Sequence, residues 1–139
     1  MSLLRVGFFE SFKGDDTLLL ESDSEGIARL ADQLRSLATG ERNRLALHEL
    51  ALFEVRHSLE IVAVVSARDR GLRRSGTENV FLWERTREGW EISVELLEAI
   101  RDGESPCHQY LDAEDEDKNG IVVQVSQNEY GDAWWQKHG

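Results

Sequence analysis

Asp115-Glu116-Asp117-Lys118-Asn119-Gly120, followed by Ile121-Val122-Val123-Gln124-Val125, has two incompatible readings. As D-x-D-x-N-G it is the front half of a calcium loop, with oxygen ligands at alternate positions and a glycine for the sharp turn. As Asn-Gly ahead of a β-forming run it is the bend of a hairpin. Counting from Asp115, the twelfth position, where an EF-hand supplies a bidentate carboxylate, is Ser126. An EF-hand also requires a helix on both sides, and Ile121–Val125 are β-formers. The hairpin reading is therefore favoured. It sets the C-terminal region as two strands, Cys107–Leu111 and Ile121–Ser126, around an acidic loop. A weak cation site in that loop is the alternative; without the bidentate carboxylate its affinity is expected to be roughly millimolar at best.

Upstream, Leu4, Val6 and Phe8 alternate within Leu3–Phe12, and Thr17–Glu21 reads as the return strand after the turn at Lys13–Asp16. Ile27, Leu30, Ala31, Leu34, Leu37 and Ala38 fall on one helical stripe. Ser22 with Glu25 fits a capping box, Ser24 is an alternative cap, and Gly40 is placed to end the helix. Arg44–Leu52 mixes strand and turn signals, Leu59–Ser66 reads as a central strand, Arg68–Gly76 as a basic loop and Asn79–Glu84 as another strand. Gly89–Asp102 fits either period, but the apolar pattern continues into Leu97 and Ile100, where strict alternation has failed, and helix is favoured. The expected fold is α+β: a mostly antiparallel sheet of about six to seven strands with two helices packed on one face. One domain over residues 1–139 is expected, and no internal repeat stands out.

The chain of 139 residues carries a net charge of −11, unevenly spread. Residues 1–101 hold 18 acids and 14 bases, whereas residues 102–139 hold 9 acids and 2 bases. That acidity disfavours nucleic acid and favours a basic protein partner, although it also serves solubility alone. No window resembles a membrane span, the first residues lack a signal-peptide layout, and the single Cys107 forms no internal disulfide, so a cytoplasmic location is expected. The preponderance of Arg over Lys points to a GC-rich bacterial source.

No chemistry-bearing motif stands out. His48, His57, Cys107 and His108 lack the paired spacing of a zinc site, and Cys107 and His108 would point to opposite faces of a strand. Ser66, Ser75, Ser105 and Cys107 lie in no nucleophile elbow, and no glycine loop suits a phosphate. No catalytic residue, metal ligand or cofactor is assigned. Arg68–Arg74 is the one basic feature; Arg70, Arg73 and Arg74 are candidates to grip a carboxylate or phosphate, or simply to pair with neighbouring acids. A homodimer in which this basic loop meets the acidic loop of a second copy would be charge-complementary. Trp134-Trp135 is expected to cover the edge of the core.

His108-Gln109-Tyr110-Leu111 followed by Ser126-Gln127-Asn128-Glu129-Tyr130 resembles a group of uncharacterised small bacterial proteins with an H-Q-Y-L strand, an acidic turn and S-x-x-E-Y. Cys107 stands where that pattern has Gly. The resemblance implies an immunity-like role, as the partner of a secreted toxin, and no catalytic residues. On pairing of the two strands, His108, Tyr110, Ser126, Glu129 and Tyr130 would converge as a polar patch. The expected function is a non-enzymatic binding domain that meets a basic protein through its acidic C-terminal surface. The candidate binding residues are His108, Tyr110, Asp112, Asp115, Asp117, Glu129, Tyr130, Arg70, Arg73 and Arg74. The alternative is a small-ligand or cation-binding domain using the 112–120 loop and the His108/Tyr110 patch.

Overall fold

The computed structural model describes residues 3–12, 14–76, 79–111 and 121–138. Their order is β1 (Leu4–Phe12), β2 (Asp15–Ser22), α1 (Ser24–Ala38), β3 (Arg44–Ala46), a 3-10 turn (Leu47–Glu49), β4 (Phe53–Val55), β5 (Glu60–Val65), β6 (Gly71–Arg74), β7 (Val80–Arg85), α2 (Arg87–Asp102), β8 (Cys107–Tyr110), β9 (Ile121–Gln127) and α3 (Asp132–His138). The fold is α+β. The helical reading of the ambiguous Gly89–Asp102 stretch holds, and β8 pairs antiparallel with β9, as a hairpin requires. The acidic loop that would join them lies outside the described residues. None of the described helices is long and apolar enough to cross a membrane.

Several expectations are corrected. The described strands form two sheets rather than one: a five-stranded sheet, β4-β1-β2-β9-β8, and a four-stranded sheet, β3-β5-β7-β6. Both are mixed, because β1·β4, β2·β9 and β5·β7 run parallel. These pairings join strands distant in sequence, which adjacency along the chain does not announce. The helices do not lie on one face of one sheet. Instead α1 and α2 pack on each other, and their stripes enter a core shared with the inner faces of both sheets. The supposed basic loop contains β6, whose alternation Arg73 and Arg74 disguise, and β4 and α3 went unrecognised.

The chain also builds one unit twice. In the first unit, the hairpin β1–β2 leads into α1 and then the antiparallel pair β3·β5. In the second, the hairpin β6–β7 leads into α2 and then the antiparallel pair β8·β9. Each unit places its hairpin in one sheet and its trailing pair in the other. The two junctions are the parallel pairings, β9 on β2 and β5 on β7. The helices superimpose in sequence at an offset of 63. Gly26, Ile27, Leu30, Ala31, Leu34 and Leu37 are buried in α1, and Gly89, Trp90, Ser93, Val94, Leu97 and Ile100 are buried in α2. Their caps match too: the Asp23 side chain accepts from Gly26 N–H, and the Thr86 side chain from Gly89 N–H. Asp23 thus displaces both Ser22 and Ser24 as the cap of α1, leaving the Ser22 hydroxyl to donate to the Leu3 carbonyl at 2.8 Å.

Both paired glycines are tightly enclosed. A Cβ at Gly26 would lie 2.6 Å from Ser22 Cβ, and one at Gly89 would lie 2.2 Å from Asp69 Oδ1 and 3.0 Å from Arg85 Nε. In each unit, the last residue of the strand folds over the first helical turn. The counterpart of Ser22 is Arg85, which is fully buried and donates from Nη1 to Ser93 Oγ (2.5 Å) and to the Leu111 carbonyl (2.6 Å). Phe8 and Phe81, 5.0 Å apart, join the inner faces of the two sheets, and Trp83 meets Trp90 of α2 edge-on at 4.9 Å. Gly26→Ala is expected to cost about 1–3 kcal/mol, because the overpacked contact is the Ser22 Cβ rather than a flexible chain end. Urea unfolding of the full chain measures this directly.

Candidate functional site

Alternation along the strands of the five-stranded sheet sends Leu4, Val6, Leu18, Leu20, Val123 and Val125 into the core. The residues between them face the other way. Strand register then aligns Glu54, Arg5, Glu21, Ser126 and His108 in one row across all five strands. The adjacent row holds Gly7, Leu19, Gln124 and Tyr110. The last helix, α3, lies over this outer face. A Cβ at Gly7 would fall 2.8 Å from the Phe9 ring and 3.1 Å from the Trp135 ring, so the missing side chain is what admits Trp135. Trp135 is fully buried, as expected of a tandem Trp that covers an edge, and Trp134 packs against Phe9, Phe12, Tyr130 and His138.

Glu21 sits at the centre of the row and is almost wholly buried. Trp135 Nε1–H donates to its Oε1 at 2.6 Å, and the Tyr130 backbone N–H donates to its Oε2. Burial pushes the Glu21 carboxyl above its ordinary range, and these donors only partly oppose the shift. At the edge, His108 Nδ1 lies 2.9 Å from Glu129 Oε2, and the His108 ring meets Tyr110 at 5.5 Å. The second Glu129 oxygen is buried without a hydrogen-bond partner among the described residues. Arg5 pairs with Glu54 at 3.3 Å and with Asp132 of α3. Beside this row opens a cleft of about 460 Å³ lined by Arg5, Glu21, Asp23, Glu54, Tyr130 and Asp132, among others. Its charged lining is four carboxyls against one guanidinium. Such a cleft suits a cationic side chain, with Tyr130 offering a ring beside the carboxylates.

The structure sets His108 beside Tyr110, Ser126 and Glu129, whereas the Tyr130 ring packs on Phe12 and Trp134. Asp112, Asp115 and Asp117 lie outside the described residues. The arginines belong elsewhere. Arg73 pairs with Glu84 at 2.5 Å, and the Arg74 guanidinium lies 4.7 Å from the Phe8 ring centre, both on β6 of the four-stranded sheet. Arg70 stands just before that strand. Among the described residues no group of three His, Cys, Asp or Glu is placed to hold a metal ion. Sequence reasoning missed Glu21, Arg5 and Asp132. Glu21 ends an apolar run and looks like an ordinary strand terminus; only the later knowledge that α3 covers it marks it as unusual. No protein-family model, no curated protein and no solved structure matches this chain.

Because the folded pKa of Glu21 lies above its unfolded value, its contribution to stability is full below the unfolded pKa. That contribution is lost as pH rises through the folded pKa. The stability of the wild type relative to Glu21→Gln is therefore expected to fall as pH rises from about 4.5 towards neutrality. Paired urea titrations across that window give the sign; a difference that grows with pH would contradict the assignment.

Proposed function

We propose that this chain is a binding domain whose acidic outer face receives a cationic segment of a basic protein partner. The reading rests above all on the cleft beside Glu21, where carboxyls outnumber guanidinium groups four to one. A further feature supports it. The excess of 9 acids over 2 bases in the sequence of residues 102–139 favours a basic partner in the same sense. The H-Q-Y-L and S-x-x-E-Y resemblance gives the concrete form: an immunity-like protein that masks a toxin. On that reading Tyr110, one of two large apolar side chains that remain well exposed among the described residues, is an interface anchor.

The test is to co-express the chain with the products of its neighbouring genes. A basic neighbour should co-purify with it, and its toxicity to the host should be relieved. Asp132→Lys with Glu54→Lys should weaken the complex by about tenfold or more, with a steeper loss at higher salt in the wild type than in the variant. Failure of every neighbouring product to bind, or binding indifferent to both charge reversals, would overturn the proposal.

A further inference from the structure

The internal duplication allows the outer faces of the two sheets to be compared position by position. In the five-stranded sheet the outer residues include Leu19, Gln124 and Ser126, which are 0 %, 1 % and 0 % exposed beneath the cover that carries Trp135. Their counterparts in the four-stranded sheet are Leu82, Val62 and Val64, paired through β5 and β7 in the same parallel register. These three are only half-buried. Among the described residues no equivalent of α3 lies there: after β9 the chain continues into a helix, whereas after β5 it passes through residues 66–70 straight into β6. Core packing does not explain the apolar residues, because Ile61, Ala63, Phe81 and Trp83 on the opposite face already fill the core. The covered face thus carries Gln and Ser where the face without a cover carries Val and Val. That is the reverse of what solvation alone would select.

Around these residues the face has polar ends of opposite sign. Register sets one row as Arg44, Val64, Glu84 and Gly71, and the next as Ala46, Val62, Leu82 and Arg73. Glu60 and Val80 lie at the far end. Glu84 and Arg73 form an ion pair. Arg44 is exposed and has no ion-pair partner among the described residues. Glu60 is 58 % exposed at its side chain and lies 3.9 Å from His48.

We infer that this face is the contact of a homodimer, in which the four-stranded sheets of two copies pack face to face. A two-fold axis lying in the interface and crossing the strands sets β5 antiparallel on the β5 of the second copy. The end bearing Arg44 then meets the end bearing Glu60, twice, and Val62 and Leu82 of both copies share the centre. The charge complementarity is built into one surface, which is what an isologous contact requires and what an unrelated partner would not impose. Strands about 4.8 Å apart, of 3, 6, 6 and 4 residues in β3, β5, β7 and β6, present roughly 300 Å² in projection, so the dimer belongs to the small, weaker class. At about 0.15 M salt the Debye length of ~8 Å screens most of the repulsion between two acidic copies. This contact differs from a pairing of the basic and acidic loops, and it leaves the cleft beside Glu21 open.

Sedimentation of the full chain from low to high micromolar concentration tests the inference. A monomer–dimer equilibrium is expected for the wild type. Leu82→Glu should raise the dissociation constant by about thirtyfold. Because that variant alters a half-buried residue, Arg44→Glu provides a check at an exposed one: it should weaken the dimer, and adding Glu60→Arg should restore it with unchanged circular dichroism. A wild type that stays monomeric throughout the range would overturn the inference. So would a dimer that neither Leu82→Glu nor Arg44→Glu weakens, or one that the paired reversal does not restore.

Discussion

The parallel pairings of β9 on β2 and of β5 on β7 hold the architecture together. Each gives a strand of one unit the hydrogen-bond partners that its own unit does not supply. The backbone groups of β2 on the side away from β1 are satisfied only by β9, and those of β7 away from β6 only by β5. Neither sheet exists without both halves of the chain. Everything else follows from that exchange. The two hairpins are brought close enough for Phe8 to meet Phe81, the two helices lie against each other, and their matching stripes close a common core.

The same exchange creates the polar row. With β9 set beside β2, Ser126 falls next to Glu21; with β8 beyond it, His108 takes the next place, and on the other side Arg5 and Glu54 complete the line. A buried carboxyl in such a position requires donors, and the segment after β9 provides them: the Tyr130 backbone and the Trp135 indole. Gly7 then provides the space into which the indole fits. One strand register, one small residue and one aromatic residue together decide where α3 rests and what shape the adjoining cleft takes.

Much of this was legible in the residues, and the remainder was hidden for physical reasons. Helical periodicity located α1 and settled α2, because six apolar positions at helical spacing outlast any run of alternation. The convergence of His108, Tyr110 and Ser126 was readable because side chains on paired strands have a period of two. The parallel junctions were not readable, since nothing local encodes whether a strand pairs with a partner 20 residues on, as β5 does with β7, or 105 residues on, as β2 does with β9. The duplication escaped notice because, between residues 18–38 and 81–101, identity survives only at Leu19/Leu82, Glu21/Glu84, Glu25/Glu88, Gly26/Gly89 and Leu34/Leu97. What persists is burial: Ile27 corresponds to Trp90 and Leu30 to Ser93, volumes exchanged within one packing scheme. Glu-Gly after a capping residue, at positions 25–26 and 88–89, was the visible trace.

The pairing of β2 with β9 has a consequence for biosynthesis. On the ribosome Leu18, Leu19 and Leu20 emerge a hundred residues before Val123 and Val125, the strand that will cover their open edge. For that interval a leucine-rich edge presents unpaired backbone to any extended chain nearby, which is the configuration most prone to intermolecular β-pairing. Asp15, Asp16 and Glu21 flank the leucines on either side. Charges so placed act as gatekeepers against premature association while the nascent chain waits for its last strand.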